Sequence, residues 1–338
     1  MNSKVSIREL AREAGVSIST VSRYLKGELA IKSETRKRIQ EAAWAIGYPL
    51  PTGAPSHGRR TIGLIVPNLS NLFYGTLVDA IVQAAHLAGY RIIVESTHDS
   101  PQRQMDYVAN FRDYPVDGIL YCGHTSENDV LRRYAESGGR VVLVDEDVPD
   151  IENVSRVFVD NYGGMVQEVR YLLQCGHRHI GYIGGPVGLM TADYRLKGFH
   201  DEMREWGLTV DPRLVISGEF SPEMGMKAAA ELFARKVSAI VAADDMVAVG
   251  VLQYCHMHGI SVPDGLSLVG FDDIALASLL MPPLTTVHQP IETLGRRAVE
   301  TLLRQMEDPT RELVTEILPV SLVVRQSVQA WDPVSLDL

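Results

Sequence analysis

Apolar positions follow a helical spacing near the start of the chain and, beyond residue 60, form short continuous runs that alternate with helical segments. Ile7, Leu10, Ala11 and Ala14 fall at i, i+3, i+4 and i+7 behind Ser6, an N-cap residue type, and predict a helix over 7–13. The turn Ala14-Gly-Val-Ser17 leads into a second helix over 18–25, with Gly15 supplying a conformation that strains residues bearing a Cβ. A third helix is capped by Ser33, turns Ile39, Ala42, Ala43 and Ile46 inward and stops at Gly47. Three short helices around a small core, the first two joined by a tight turn, make a helix-turn-helix, whose second helix enters the DNA major groove.

From Thr61 the pattern changes. The runs 62–66, 91–95, 118–122 and 141–144 are short and rich in β-branched residues, as strands buried on both faces of a parallel sheet are. Helical spacing over 73–88 and 102–111 makes them βαβ units. A second series follows, with strands over 179–183, 239–242 and 266–271 and helices over 191–206, 221–234 and 246–258. A helix over 291–305 and late strands over 316–318 and 321–324 are expected to cross back, giving two lobes joined by more than one connection. The predicted architecture is α/β: a three-helix headpiece (1–48), a Pro/Gly-rich linker (49–60), a two-lobed core with doubly wound parallel sheets (61–330) and a tail (331–338). The lobes are expected over about 61–160 plus 290–320 and about 161–289 plus 321–330.

Charge sharpens the division. The chain of 338 residues carries a net −10, yet residues 1–60 hold eleven Lys and Arg against five Glu, a local +6 that leaves −16 for the rest. A basic head on an acidic body suits one module that binds nucleic acid and one that does not. No apolar run reaches the roughly 18–20 residues a bilayer span needs, and residues 1–10 do not look like a signal peptide, so a cytoplasmic protein is expected. Cys122, Cys175 and Cys255 are far apart and read as buried thiols, neither a disulfide framework nor a zinc site. His177 and His179 flank Arg178 without a third ligand nearby and read as capping or solvent-facing residues, so no metal or cofactor is expected.

The segment Val5-Ser-Ile-Arg-Glu-Leu-Ala-Arg-Glu-Ala-Gly-Val-Ser-Ile-Ser-Thr-Val-Ser-Arg23 resembles the headpiece of the lactose-repressor (LacI/GalR) family. The resemblance continues through Val66-Pro-Asn-Leu-Ser-Asn-Leu-Phe-Tyr74, Val116-Asp-Gly-Ile119, residues 176–184, Asp244-Asp245, Leu268-Val-Gly-Phe-Asp-Asp273 and Pro282-Pro-Leu-Thr-Thr286, nearly the whole chain. It implies a transcription regulator, most simply a repressor, with a periplasmic-binding-protein-like core that binds a small-molecule effector, and not an enzyme. By the same resemblance Ile18 and Ser19 form a variable base-reading pair, Arg23 contacts guanine, and Ser17, Thr20 and Ser22 are phosphate-binding or turn-fixing hydroxyls. Ser6, at the start of the first helix, joins that DNA-binding set. The linker departs from the family pattern: Pro51, Gly53 and Pro55 oppose a hinge helix, and Ser56 or His57 stands where a leucine is expected. It reads either as an arm whose Arg59 and Arg60 hold phosphates or as a plain tether.

Open α/β folds bind ligands at the carboxyl ends of their strands. Asp145, Asp244, Asp272 and Gln289 each follow or end an expected strand, and Arg195 lies early in the helix after Gly184-Gly185. Carboxylates that accept from hydroxyls and a forked arginine that donates suit a sugar or other polyol, with Phe73, Phe158 and Phe220 as apolar walls. The resemblance assigns the same eight positions to effector contact, with Asp244 replacing a frequent Asn. Motifs of hydrolases, nucleotide-binding loops and zinc peptidases are absent from the sequence, so no catalytic residue is expected. The expected partners are operator DNA, a sugar-like effector and a second copy of the chain. A homodimer is expected because one headpiece contacts few bases, and residues 330–338 carry no leucine heptads for a tetramer.

Overall fold

A computed structural model describes residues 6–26, 35, 38–39, 42–43, 46, 48, 60–113, 116–123, 128–149, 151–308, 310 and 312–331. The chain divides into two units, Met1–Arg59 and Arg60–Leu338. Ser33, Gly47, linker residues 49–59 and tail residues 332–338 lie outside the described residues, and with them the expectations for Pro51, Gly53, Pro55, Ser56, His57 and Arg59.

In the first unit, α1 (Ile7–Glu13) and α2 (Ile18–Lys26) pack with helical positions between 35 and 46. Leu10, Val21 and Ile39 are fully buried, with Ala11, Ala14, Ala42 and Ala43 beside them, so the apolar stripe of each helix meets the others. Gly15 turns the chain at φ +61°, and Arg38 donates to its carbonyl oxygen at 3.0 Å, tying the turn to the later helical residues.

Among the described residues the second unit holds two sheets. One contains β1 (Thr61–Val66), β2 (Arg91–Ser96), β3 (Gly118–Tyr121), β4 (Val141–Val144), β5 (Ser155–Val159) and β11 (Thr315–Leu318), ordered β11-β5-β4-β3-β1-β2 and parallel throughout. Its helices are α3 (Leu72–Leu87), α4 (Pro101–Asp113), α5 (Asp129–Glu136) and α10 (Ile291–Glu307). The other contains β6 (Ile180–Gly184), β7 (Val215–Ser217), β8 (Ala239–Ala242), β9 (Ser267–Asp272), β10 (Thr285–His288) and β12 (Ser321–Val323), ordered β12-β10-β9-β8-β6-β7. Its helices are α6 (Asn161–Gln174), α7 (Met190–Glu205), α8 (Pro222–Ala234) and α9 (Asp245–Met257). All its strands are parallel except β12, which runs antiparallel to β10 at the edge.

Every residue of β3, β4, β6, β8 and β9 is buried, because helices cover both faces of each sheet. α10 buries Ile291, Leu294, Ala298, Val299 and Leu302, the one-sided stripe of a helix lying on a sheet. α8 and α9 approach backbone to backbone: a Cβ on Gly250 would lie 1.9 Å from the Pro222 carbonyl oxygen, and one on Gly225 2.0 Å from that of Val247. The chain passes between the lobes three times, from β5 into α6, from β10 into α10 and from β11 into β12. These crossings bring the carboxyl ends of both sheets to one cleft.

Candidate functional site

The headpiece surface follows from capping chemistry. Ser6 and Glu9 close a capping box: the Ser6 hydroxyl accepts from the Glu9 N–H at 3.3 Å, and the Ser6 N–H donates to the Glu9 carboxylate at 2.7 Å. The Ser6 N–H, together with the Ser6 hydroxyl, which donates to Glu9 Oε2 at 3.0 Å, holds the Glu9 carboxyl below its ordinary value. The Ser17 hydroxyl accepts from the Thr20 N–H at 3.1 Å and lies 2.8 Å from Ser19 Oγ and 2.7 Å from Thr20 Oγ1, a hydroxyl cluster at the start of α2. Ile18, 47% exposed despite its apolar side chain, stands beside exposed Ser19 and Arg23, while Thr20 and Ser22 are half-buried. α2 thus presents an apolar, a hydroxyl and a guanidinium group from one short helix.

In the cleft, Arg195 occupies the centre. Its Nε donates to Asn161 Oδ1 at 2.8 Å, its Nη1 donates to the Ala243 carbonyl at 2.6 Å, and the same Nη1 lies 3.7 Å from Asp272 Oδ1. The guanidinium sits 3.8 Å from the Phe271 ring centroid and 5.8 Å from that of Phe220. Stacking and bonds on several sides fix its plane. Asp272 Oδ1 accepts from Gln289 Nε2 at 2.6 Å. Asp145 and Asp272 hold left-handed backbone, at φ +69° and +117°, conformations that cost of order 1–3 kcal/mol and gather at functional sites.

The two lobes meet through carboxylates. Asp244 caps α9, its Oδ1 accepting from the Val247 N–H at 2.9 Å, while its Oδ2 accepts from Asn71 Nδ2 of the opposite lobe at 3.3 Å. Glu146, which follows β4 in the first lobe, accepts from the N–H groups of Met190 and Thr191 at 3.1 and 2.7 Å. These open α7 in the second lobe, whose own N-cap, Leu189, has no side chain able to cap. Asp145 Oδ2 accepts from the Tyr74 hydroxyl at 3.0 Å. Asp145 Oδ1 and Gln289 Oε1 are buried acceptors with no hydrogen-bond partner among the described residues.

Burial dominates the electrostatics. It pushes the Asp145 carboxyl up to about 6, against the pull of Arg195 and Tyr74. Burial and the adjacent Asp145 push Glu146 up to about 8. Asp272 and Asp245 lie well above the usual carboxylate range for the same reason, as does Glu168, fully buried on α6 behind the cleft.

Of the residues singled out from sequence, Asp145, Arg195, Asp244, Asp272, Gln289 and Phe220 come together at the cleft. Phe73, the second residue of α3, packs edge-on against Tyr74 at 5.2 Å and donates its N–H to Asn71 Oδ1. Phe158 lies in the first lobe's core with Ile65, Phe111 and Leu143, and Met190 of the second lobe packs against that cluster. Sequence reasoning missed Glu146, Asn71, Tyr74, Asn161 and Phe271. Asp245 braces the fold below, accepting from Thr286 Oγ1 at 2.7 Å and from the Ile274 N–H at 3.0 Å. His177 bridges Ser238 and the Gln329 carbonyl, and His179 bonds the Arg235 carbonyl. Among the described residues no three His, Cys, Asp or Glu side chains are grouped to hold a metal, and no helix is long and apolar enough to cross a membrane.

A helix-turn-helix unit with a separate two-lobed core, whose polar cleft lies where the sheets end, defines a DNA-binding regulator with a ligand-binding body. Residues 6–49 match the model of bacterial regulatory proteins of the lacI family, and residues 169–328 match a periplasmic binding protein-like domain. The chain is 33% identical over 331 residues to the HTH-type transcriptional regulator DegA of Bacillus subtilis, covering 96% of this chain and 98% of that protein. It is 31% identical over 330 residues to the HTH-type transcriptional repressor CytR of Escherichia coli, covering 96% of each. A solved structure of the transcriptional regulator CelR in complex with cellobiose superposes with a TM-score of 0.74 at 29% identity, covering 96% of this chain and 99% of that one. The chain belongs to the lacI family, and it is a transcription regulator, not an enzyme.

Proposed function

We propose that this chain is a repressor whose operator affinity is set by a sugar or sugar derivative bound between its two lobes. The observation that carries this reading is the cleft: Arg195, stacked and fixed, beside buried acceptors Asp145 Oδ1 and Gln289 Oε1 that no described residue satisfies. Unused buried acceptors carry a desolvation cost that a ligand hydroxyl removes. Asp145 belongs to one lobe and Arg195, Asp244, Asp272 and Gln289 to the other, so a ligand that touches both favours one closure angle. Phe220 supplies the apolar wall, and Phe73 and Phe158 back the first lobe's side. The cellobiose bound to CelR supports a sugar as the class of ligand.

On the DNA side, Ile18 and Ser19 read base edges, with the apolar Ile18 suited to a thymine methyl, and Arg23 donates to guanine. Ser6, Ser17, Thr20 and Ser22 hold phosphates or fix the turn. Two copies act together, because a single helix-turn-helix reads one half-site. Large apolar side chains exposed on the core support a homodimer: Leu87 is 88% exposed, Leu279 75% and Met281 93%. The headpiece (1–48), linker (49–60) and core (61–330) divide these tasks in a cytoplasmic protein.

The reading is tested by thermal unfolding of the full chain against sugars, sugar derivatives, polyols and nucleobases. A ligand at 100 times its dissociation constant adds about 2.7 kcal/mol of stability. A hydroxyl-rich ligand whose effect disappears in Asp272→Ala and which changes operator affinity supports it. A ligand that stabilises both forms equally, or leaves DNA binding unmoved, contradicts it.

A further inference from the structure

Anions in open α/β folds are held at helix N-termini, whose free N–H groups and dipole face the strand ends. In this cleft three of those positions are already taken, while α10, which opens after Gln289, has no side-chain cap. Glu146 fills the N-terminus of α7 with bonds of 3.1 and 2.7 Å, Asp244 fills that of α9 at 2.9 Å, and Asn71 caps α3 by accepting from the Phe73 N–H at 2.9 Å. Two of these caps are carboxyl groups whose oxygens already accept the N–H groups of their helices, so those ends offer fewer free donors to a second anion.

Arg195 cannot restore the balance. It is the cation that draws down Asp145, Glu146, Asp244, Asp272 and Glu168 alike, so one guanidinium serves five buried carboxyl groups. Its Nε and Nη1 already reach Asn161 and Ala243, and the same Nη1 faces Asp272. The groups left unpartnered in this setting, Asp145 Oδ1 and Gln289 Oε1, are both acceptors and more than nine-tenths buried. A ligand that satisfies these two acceptors brings donors, and an added phosphate or carboxylate enters a poorly solvated site lined by four carboxyl groups.

We propose that the effector is a hydrogen-bond donor with no anionic group, a neutral sugar or an amine-bearing one, and that the cleft rejects sugar phosphates and sugar acids. This rests on the cleft being the effector site. Burial lifts Asp145 to about 6 and Glu146 to about 8, so near neutral pH the pair keeps about one negative charge, which an ammonium group offsets and a second anion opposes.

The test uses matched sets built on glucose, galactose, mannose, ribose and cellobiose, each as parent sugar, amino-deoxy sugar, phosphate and acid, titrated calorimetrically into the full-length protein. At least one parent or amino sugar is expected to bind, with its phosphate and acid weaker by about tenfold or more, the scale of one added like charge at short range. The double variant Glu146→Gln, Asp244→Asn, checked for native circular dichroism, should narrow that gap. Where it misfolds, Asp244→Asn alone serves. A phosphate or acid that binds as tightly as its parent overturns the proposal, and so does silence from every neutral and amino member. An anionic binder that alters operator affinity sinks the charge rule and leaves effector sensing intact. A neutral binder that leaves operator affinity unmoved does the reverse.

Discussion

The carboxylate of Glu146, in the first lobe, accepts the backbone N–H of Thr191, in the second, at 2.7 Å, and so supplies from 45 residues away the cap that α7 lacks in its own sequence. One carboxyl group thereby serves both the contact between the lobes and the helix cap. With the bond between Asn71 and Asp244, it places hydrogen bonds across the cleft where a ligand can strengthen or break them.

Removal of that carboxylate exposes its worth. Glu146→Ala leaves the Met190 and Thr191 N–H groups without their acceptor and should cost about 0.5–2 kcal/mol, the usual value of a lost cap. Glu146→Gln, which keeps one acceptor oxygen, should lose less. Thermal unfolding of the ligand-free proteins measures both. An unchanged melting temperature in Glu146→Ala would show that water caps α7 equally well.

Stability should depend on pH with a definite sign. The Asp145 and Glu146 carboxyls stand near 6 and 8, above their ordinary values of 3.8 and 4.5. Between those limits the folded chain holds protons that the unfolded chain has released, so their contribution is full in acid and is lost as pH rises through about 6 and then about 8. The ligand-free protein should melt higher near pH 6 than near pH 8.5, with a smaller difference in Asp145→Asn and Glu146→Gln. A melting temperature that rises over that range in the wild type, or an equal drop in the variants, would assign the dependence to other groups.

Gly15→Ala tests the headpiece turn. A Cβ there would sit at a backbone φ of +61° and press on the Arg38 guanidinium that bonds the Gly15 carbonyl. A loss of more than about 1 kcal/mol is expected. DNA affinity should fall with it, while melting of the core stays unchanged, read by circular dichroism and by titration with DNA. Intact headpiece stability would show that the turn relaxes.

Gly250→Ala tests the close crossing of α8 and α9, where a Cβ meets the Pro222 carbonyl. The helices must separate, at a cost of about 1–3 kcal/mol or more. Denaturant unfolding of the core reads it, and a neutral result would mean that the contact yields freely.

Much of this was legible in the sequence because local signals agreed with the fold. The runs that became β3, β4 and β8 are apolar at every position, as strands covered on both faces must be. β5 was not anticipated as a strand, since Ser155 and Arg156 open it; Ser155 instead accepts from Gln305 on α10, and Arg156 pairs with Asp147. α6 was hidden by Gly163 and Gly164 in its first turn. Gly164 is there for the sheet, because a Cβ would come within 2.8 Å of the Phe271 ring. Candidate residues at strand ends could be found by topology alone, which located Asp145, Asp244, Asp272 and Gln289. Glu146 and Asn161 could not, because their partners, the α7 N-terminus and Arg195, lie distant in sequence and only the folded lobes bring them close.

The most direct measurement is an anisotropy titration of the full-length protein against the DNA it selects from a random pool, with and without a saturating sugar identified by thermal shift. Sensing in the cleft requires operator affinity to change by about fivefold or more, the common range of allosteric coupling, and the change to vanish in Arg195→Met. Equal affinity with and without the bound sugar, or a response that survives in Arg195→Met, would contradict it.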